Sequence, residues 1–302
     1  MRVVWSPEYE VDIGPHVFPT LKYRLVKERL VADGTLAETD LVRPRPAADA
    51  DLARVHTEEY LRKIRTDDLS PAERLCLEVP FSPQLREAII LCCGGTIECG
   101  RRALADGVCV HLGGGFHHAF ATHGEGFCLL NDVAVAARAL LADGTVSRVA
   151  VVDLDVHHGN GTAAIFADEP AVLTFSMHQR NNYPAVKPFG DCDLGLDDGT
   201  SDDVYLHLLE EHLAPLLHDH QPELVFYLAG ADPYRDDQLG GLGLTIEGLR
   251  RRDRLVFEAC GRRGASVAVT LAGGYARDTG DTIEIHCNMV REAIRCASRA
   301  TR

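Results

Sequence analysis

Asp153, Asp155 and His157 stand at alternate positions in Val149-Ala-Val-Val-Asp-Leu-Asp-Val-His-His-Gly-Asn-Gly161, directly after the apolar run Val149 to Val152. Alternate side chains of a strand share a face, so two carboxylates and an imidazole at a strand's carboxyl end suit a divalent cation. Acidic residues also end strands simply because turns follow them, but three ligand types in register beside a second histidine favour the metal. Gly159 and Gly161 would let the chain turn sharply beyond them. Asp232, in Ala229-Gly-Ala-Asp232, completes a candidate set of Asp155, His157 and Asp232 with oxygen, nitrogen and oxygen donors. Three protein ligands leave a position open for water or substrate, as in catalytic zinc sites. With two carboxylates in the set, the ion should acidify its water less than an all-histidine site would, so a general base is needed.

His117 and His118 are the candidates for that base. They are adjacent in the glycine-rich loop that starts at Gly113, so their rings can point apart yet border one cavity. Each ring needs a partner to set its tautomer, and Asp153 and Asn160 are spare polar residues beside the ligands. Tyr275 follows Gly273-Gly274 at a strand end, where a phenol can donate to a developing oxyanion; a packed core tyrosine leaves the same local pattern. Phe127 and Tyr183 fit pocket walls or plain packing equally well. Gly113-Gly-Gly115 fails the GxGxxG spacing of a dinucleotide site, and Cys128 carries no local sign of activation, which makes it structural.

The elements that must position these residues alternate. The pattern predicts strands at 2–5, 41–43, 108–111, 148–153, 171–175, 223–228 and 266–271, and helices at 20–32, 57–64, 83–104, 131–142, 202–218, 245–262 and 281–297. Thr20 is the expected cap of the first helix and Gly34 its stop. Gly94-Gly95 inside the long third helix points to close packing. Strand–helix alternation implies right-handed crossovers and a parallel sheet, hence an α/β fold with helices on both faces. No linker marks a boundary, so residues 1–302 read as a single domain. In such a sheet the ligand sits outside the carboxyl ends of the strands. The loops there carry polar residues, several of them among glycines, and strand 171–175 leads to Ser176-Met-His178 and then Asn181-Asn-Tyr-Pro184.

Composition sets outer limits. Hydrophobic residues make up 46% and charged residues 25%, as in ordinary globular proteins. A net charge of -14 disfavours direct nucleic-acid binding, since phosphates would be repelled. No apolar run is long enough to span a membrane, and Met1-Arg-Val-Val-Trp-Ser-Pro7 is too short and polar-interrupted for a secretory signal. The 10 scattered cysteines form no CxxC pair, which fits reduced thiols in a cytoplasm better than a disulfide framework.

Taken together, Gly115-Phe-His-His-Ala119, Gly126-Phe-Cys-Leu-Leu-Asn-Asp132, Asp153-Leu-Asp-Val-His-His-Gly-Asn-Gly161, Ala229-Gly-Ala-Asp232 and Gly273-Gly-Tyr275 resemble the zinc-dependent histone deacetylase family in order and spacing. The segments His16 to Tyr23 and Val55 to Tyr60 extend the resemblance over nearly the whole chain. The compact length, the Asn181-Asn-Tyr-Pro184 loop and Ile283-Glu-Ile-His286 look most like bacterial relatives of the class IV branch. The resemblance implies an arginase/deacetylase-type fold and a hydrolase that removes acyl groups, acetyl or longer, from the ε-amine of lysine or from small amines such as polyamines. It implies Zn2+ on Asp155, His157 and Asp232, with Fe2+ as the alternative ion, and potassium near Asp153 and the backbone of Ser176. His118 would be the general base and His117 its electrostatic partner, with Asp153 orienting His117 and Asn160 orienting His118. Tyr275 would polarise the acyl carbonyl. Gly126, Phe127, Tyr183, Gly273 and Gly274 would line the tunnel. Some members carry Asp where this chain has Asn160, which should leave His118 less basic. An arginase-like two-manganese hydrolase would need a second Asp two positions after Asp232, where this chain has Tyr234. A non-catalytic acyl-lysine reader would fit the same pocket but not the complete catalytic set.

Overall fold

A computed structural model describes residues 1–300, with side chains described to Ser298. Eight strands form one sheet: β1 Val3–Val4, β2 Leu41–Val42, β3 Val108–His111, β4 Val149–Asp153, β5 Val172–Gln179, β6 Cys192–Leu196, β7 Leu224–Leu228 and β8 Ser266–Thr270. The order is β2-β1-β3-β8-β7-β4-β5-β6, and every pairing is parallel. Among the described residues, ten α-helices connect and flank the strands: α1 Lys22–Ala32, α2 Asp49–Leu52, α3 Glu58–Thr66, α4 Pro71–Leu77, α5 Pro83–Asp106, α6 Asp132–Ala142, α7 Asn160–Phe166, α8 Asp202–His220, α9 Ile246–Arg263 and α10 Thr279–Ala300. Every residue of β3, β4, β5 and β7 is buried. Because neighbouring side chains point to opposite faces, helices must cover both sides, which is why β4 and β7 read as nearly continuous apolar runs. α5 packs with α6, while α8, α9, α10 and α1 pack in succession as a second layer.

The alternation therefore predicts the sheet correctly, and three local expectations need correction. β5 does not stop at 175 but runs to Gln179, because β6 pairs with Phe175 to Gln179. Ser176 and His178 accordingly lie in a strand, not in a loop. β6 itself, Cys-Asp-Leu-Gly-Leu, is a partly exposed edge strand; one-sided pairing requires no apolar run, so the sequence shows none. Thr20 does not cap α1: its hydroxyl donates to the carbonyl of Val11 at 2.7 Å, and the cap position belongs to Leu21. α2, α4 and α7 are short helices outside the predicted set. α4 is announced by a capping box in which Ser70 and Glu73 satisfy each other's backbone N–H groups.

The Gly94-Gly95 step does serve close packing. A Cβ on Gly94 would fall 1.9 Å from the carbonyl oxygen of Arg45, where the Arg43-Pro-Arg-Pro46 segment docks its backbone on α5. Gly94→Ala gains about 1 kcal/mol of helix propensity, yet it must push one backbone off another. A net loss of about 2 kcal/mol is expected, read as a lower urea midpoint at unchanged slope.

Two buried histidines link folding to pH. The His56 ring bonds the carbonyl of Phe120 through Nδ1 (3.1 Å), and its Nε2 accepts the backbone N–H of Asn131 (3.1 Å). That geometry requires a neutral ring. Burial holds His56 down at about 4 and His111 at about 3. Both folded values lie below the unfolded value of about 6.5, so on acidification the unfolded chain takes up protons that the folded chain refuses. The contribution of these two histidines to stability is thus expected to fall as pH drops from about 6.5 toward 4, by about 1.4 kcal/mol per pH unit each. His56→Asn should flatten the slope by one such increment in urea titrations between pH 6.5 and 4.5.

Candidate active site

β4 ends at Asp153, so the strand itself does not hold Asp155 and His157 in register; the loop that follows does. The Asp155 amide donates to Asp153 Oδ1 (3.1 Å), and the His157 amide donates to Asp155 Oδ1 (3.0 Å). Asp155 Oδ2 accepts the Gly273 amide (2.8 Å) from the loop after β8. Asp232, from the loop after β7, accepts the Val156 amide through Oδ1 (3.0 Å). As a result one donor atom each from Asp155, His157 and Asp232 lies within 4.8 Å of the others. The three residues are at most 7% exposed, and Asp232 Oδ2 is buried with no hydrogen-bond partner. A buried, unsatisfied carboxylate oxygen facing a nitrogen and a second carboxylate is a cradle for a divalent ion. Burial and the charge of Asp155 push Asp232 up to about 7. Burial opposes charge on His157 as well, but Asp155 and Asp232 outweigh it and hold the ring up at about 10. The pocket thus strongly favours a cation at this point.

The histidine pair sits beside it on the loop after β3. Asp132, fully buried, accepts the amides of Gly115 (3.1 Å) and Phe116 (2.7 Å), pinning that loop to α6. The rings do not point apart, as local sequence allows. They face each other, Nε2 to Nε2, at 3.1 Å. His117 Nδ1 donates to Asp153 Oδ2 (2.7 Å), and His118 Nδ1 meets Asn160 Oδ1 (2.7 Å). Burial lowers both rings, but Asp153 and Asp155 raise His117 to about 9. His118 has no such carboxylate contact; burial, with the neighbouring His117 and His157, holds it well below its ordinary value. The surroundings therefore favour a charged ring at His117 and a neutral ring with one free lone pair at His118. Gly159 and Gly161 are needed here for space and not for a left-handed turn, since a Cβ would meet Asp153 Oδ2 at 2.4 Å and Ala119 O at 2.3 Å respectively.

A narrow cavity of about 160 Å³ leads to this centre, lined by Glu78, His118, Gly126, Phe127, His157, Asn182, Tyr183, Leu239 and Tyr275. Phe127 holds a left-handed backbone at φ 69°, a strained state for a non-glycine residue, and its amide is anchored on the carbonyl of Leu77 at 2.9 Å. Gly126 cannot carry a side chain, because a Cβ would lie 2.8 Å from the His118 ring and 2.9 Å from Tyr183. At Gly273 a Cβ would fall 1.9 Å from Asp232 Oδ2. Gly274 is at φ 143° and brings in Tyr275, whose ring stands edge-on to Phe127.

The histone deacetylase domain family matches residues 16–290 of this sequence. The chain belongs to that family. A protein of Picosynechococcus sp. described as uncharacterized is 41% identical over 96% of this chain and 97% of its own length. Histone deacetylase 2 of Arabidopsis thaliana is 31% identical over 97% of this chain and 80% of that protein. The histone deacetylase-like amidohydrolase of Pseudomonas aeruginosa is 31% identical over 85% of this chain and 72% of that protein. The crystal structure of the HDA15 HD domain is similar with a TM-score of 0.82 and 25% identity, covering 97% of this chain and 91% of that one. The expected arginase/deacetylase-type fold holds, and the chain is a histone deacetylase-family amidohydrolase. These names do not single out the class IV branch.

Three polar residues of this histone deacetylase-family site escape local sequence reading. Lys22 is fully buried and donates to the carbonyl of Ala272 at 2.6 Å; burial lowers it to about 8 against the pull of Asp232, Asp155 and Asp237. Asp237, in a run that looks like surface charge, accepts the Tyr275 amide at 2.7 Å. Glu125 accepts from both Asn160 Nδ2 (2.7 Å) and the Tyr183 hydroxyl (3.1 Å). Only Lys22 left a trace, as a cation on the otherwise apolar inner face of α1. Cys128 is buried with its thiol on the Gly126 carbonyl, and burial raises it well above the usual thiol range. Asp153 and Ser176, named for potassium, are paired neighbours of β4 and β5. No helix among the described residues is long and apolar enough to cross a membrane.

Proposed function

We propose that the protein is a zinc-dependent deacylase that removes acetyl or longer acyl groups from the ε-amine of lysine. The observation that carries this reading is that His118, His157 and Tyr275 line one narrow cavity, with His117 paired to His118 and Asp155 and Asp232 grouped with His157 in the buried cradle behind it. Asp155, His157 and Asp232 would hold Zn2+, or Fe2+, which when bound supplies Lewis acidity at the acyl carbonyl and a more acidic water. His118 takes the proton of the attacking water at Nε2 and returns it to the leaving amine. His117, charged and held by Asp153, stabilises the developing negative charge, and Tyr275 donates its hydroxyl to the carbonyl oxygen. Asn160 orients His118. Phe127 and Tyr183 flank the lysine stem, while Gly126, Gly273 and Gly274 keep the walls close. Asp153 and the Ser176 backbone would take potassium.

The extent of the family match supports reading 1–302 as one catalytic domain, and the class IV likeness and a cytoplasmic location belong to the same proposal. Glu78, exposed and lining the cavity, favours cationic partners, which keeps acylated polyamines beside acyl-lysine peptides as candidate substrates. The test is hydrolysis by metal-loaded protein of lysine peptides from acetyl to myristoyl and of acetylated polyamines. Turnover on one series names the substrate class. No turnover on either, from protein holding one zinc per chain, would overturn the reading in favour of a non-catalytic acyl-lysine binder.

A further inference from the structure

Asn160 is a departure that the geometry around it makes workable. Its side-chain amide lies between two partners, with Oδ1 2.7 Å from His118 Nδ1 and Nδ2 2.7 Å from Glu125 Oε1. The two ends of a carboxamide differ: the oxygen only accepts and the nitrogen only donates. An amide beside a catalytic imidazole therefore has a weakness that a carboxylate lacks. Turned over, it presents N–H to Nδ1 and favours the tautomer whose lone pair faces away from the reaction. Nothing in Asn160 itself prevents that turn. Its outer partner does, because a carboxylate can only accept.

We propose that Glu125 is a positioning residue that sets the tautomer of His118 through Asn160. This rests on the deacylase reading, in which His118 Nε2 is the nitrogen that must accept a proton. Glu125 holds the Asn160 NH2 outward, which leaves Oδ1 facing His118, puts the ring proton on Nδ1 and leaves the lone pair on Nε2, the nitrogen beside His117. The carboxylate is itself well placed. Glu125 and Cys128 exchange backbone hydrogen bonds (3.0 and 2.9 Å) across a tight turn. Its side chain is only 17% exposed, and the Tyr183 hydroxyl donates to the same oxygen at 3.1 Å. The tunnel wall and the base are thus tied to one carboxylate. The arrangement also explains why an aspartate would serve poorly at 160 in this chain: two carboxylate oxygens would meet at the distance now bridged by a hydrogen.

The test reads the tautomer directly. Long-range 1H–15N spectra of protein labelled at histidine, with His118 assigned by its loss in His118→Gln, should show Nδ1 protonated and Nε2 bare. In Glu125→Gln, an isosteric change whose amide can face either way, a shift toward the Nδ1-bare form is expected. Glu125→Ala should behave alike and lower kcat about tenfold or more with a smaller change in KM. The decisive comparison is Asn160→Asp, which accepts from Nδ1–H in any orientation. It should lower kcat in the otherwise native chain yet raise it in the Glu125→Ala background. An unchanged His118 tautomer in both Glu125 variants, or an Asn160→Asp effect of the same sign in both backgrounds, would overturn the proposal. The spectra need no turnover, so failure of the deacylase reading would appear separately, as an intact tautomer response in a protein that hydrolyses nothing.

Discussion

His118→Ala is expected to lower kcat on the best acyl-lysine substrate by about 10²–10⁴-fold, the range for loss of a positioned general base, with bound zinc unchanged. The ring is built for proton transfer and not for ligation. Its Nδ1 is committed to Asn160 and its Nε2 faces His117, while burial and two neighbouring rings keep it neutral. Asp153 and Asp155 favour the charged form of His117 against burial, which makes it the poorer acceptor. Tyr275→Phe removes a donor and no ligand, so a loss of about 10²–10³ is expected with the same metal content. Steady-state rates beside metal analysis of the purified variants check both. Turnover that survived in His118→Ala would mean that another group takes the proton. Loss of zinc with the rate would mean that the ring is structural.

Arg252→Met is expected to destabilise the protein by about 3–5 kcal/mol and to loosen the metal cradle as it does so. Arg252 is fully buried. Its guanidinium donates to the carbonyls of Gly230 (2.6 Å) and Leu154 (3.3 Å) and to Asp253 Oδ1 (2.8 and 3.0 Å). Leu154 and Gly230 are in the two loops that carry Asp155 and Asp232. One side chain on α9 therefore holds both ligand loops from behind. Removing it strands two carbonyls and leaves Asp253, which also accepts the Tyr227 hydroxyl at 2.6 Å, as a buried charge without its cation. Arg252→Met/Asp253→Asn removes that charge and should recover part of the stability but not the loop geometry. Urea unfolding of both variants, with zinc affinity measured by competition, separates the two effects. Equal stability of the single variant and the native protein would show that the ion pair is replaceable by packing.

The contrast between His118 and Arg252 marks where sequence reading reaches. The fold was legible because burial on both faces turns β3, β4, β7 and β8 into apolar runs that alternate with helical segments; the unexpected cap at Ser70 and the expected one that fails at Thr20 show that helix starts are less legible. The candidate ligands were legible because each sits within a few residues of a strand's carboxyl end, where a parallel sheet must gather them. β6 was not legible, since an edge strand paired on one side carries no apolar demand. The direction of the His117 and His118 rings, the loop hydrogen bonds that put Asp155 and His157 in register, and the supports from Lys22, Arg252, Asp237 and Glu125 were decided by the tertiary structure alone. Those residues come from distant segments and meet the site through backbone carbonyls, amides or a single side-chain atom. Such contacts impose no periodicity and no spacing, so a buried arginine on α9 and a charged residue on the surface look alike until the chain is folded.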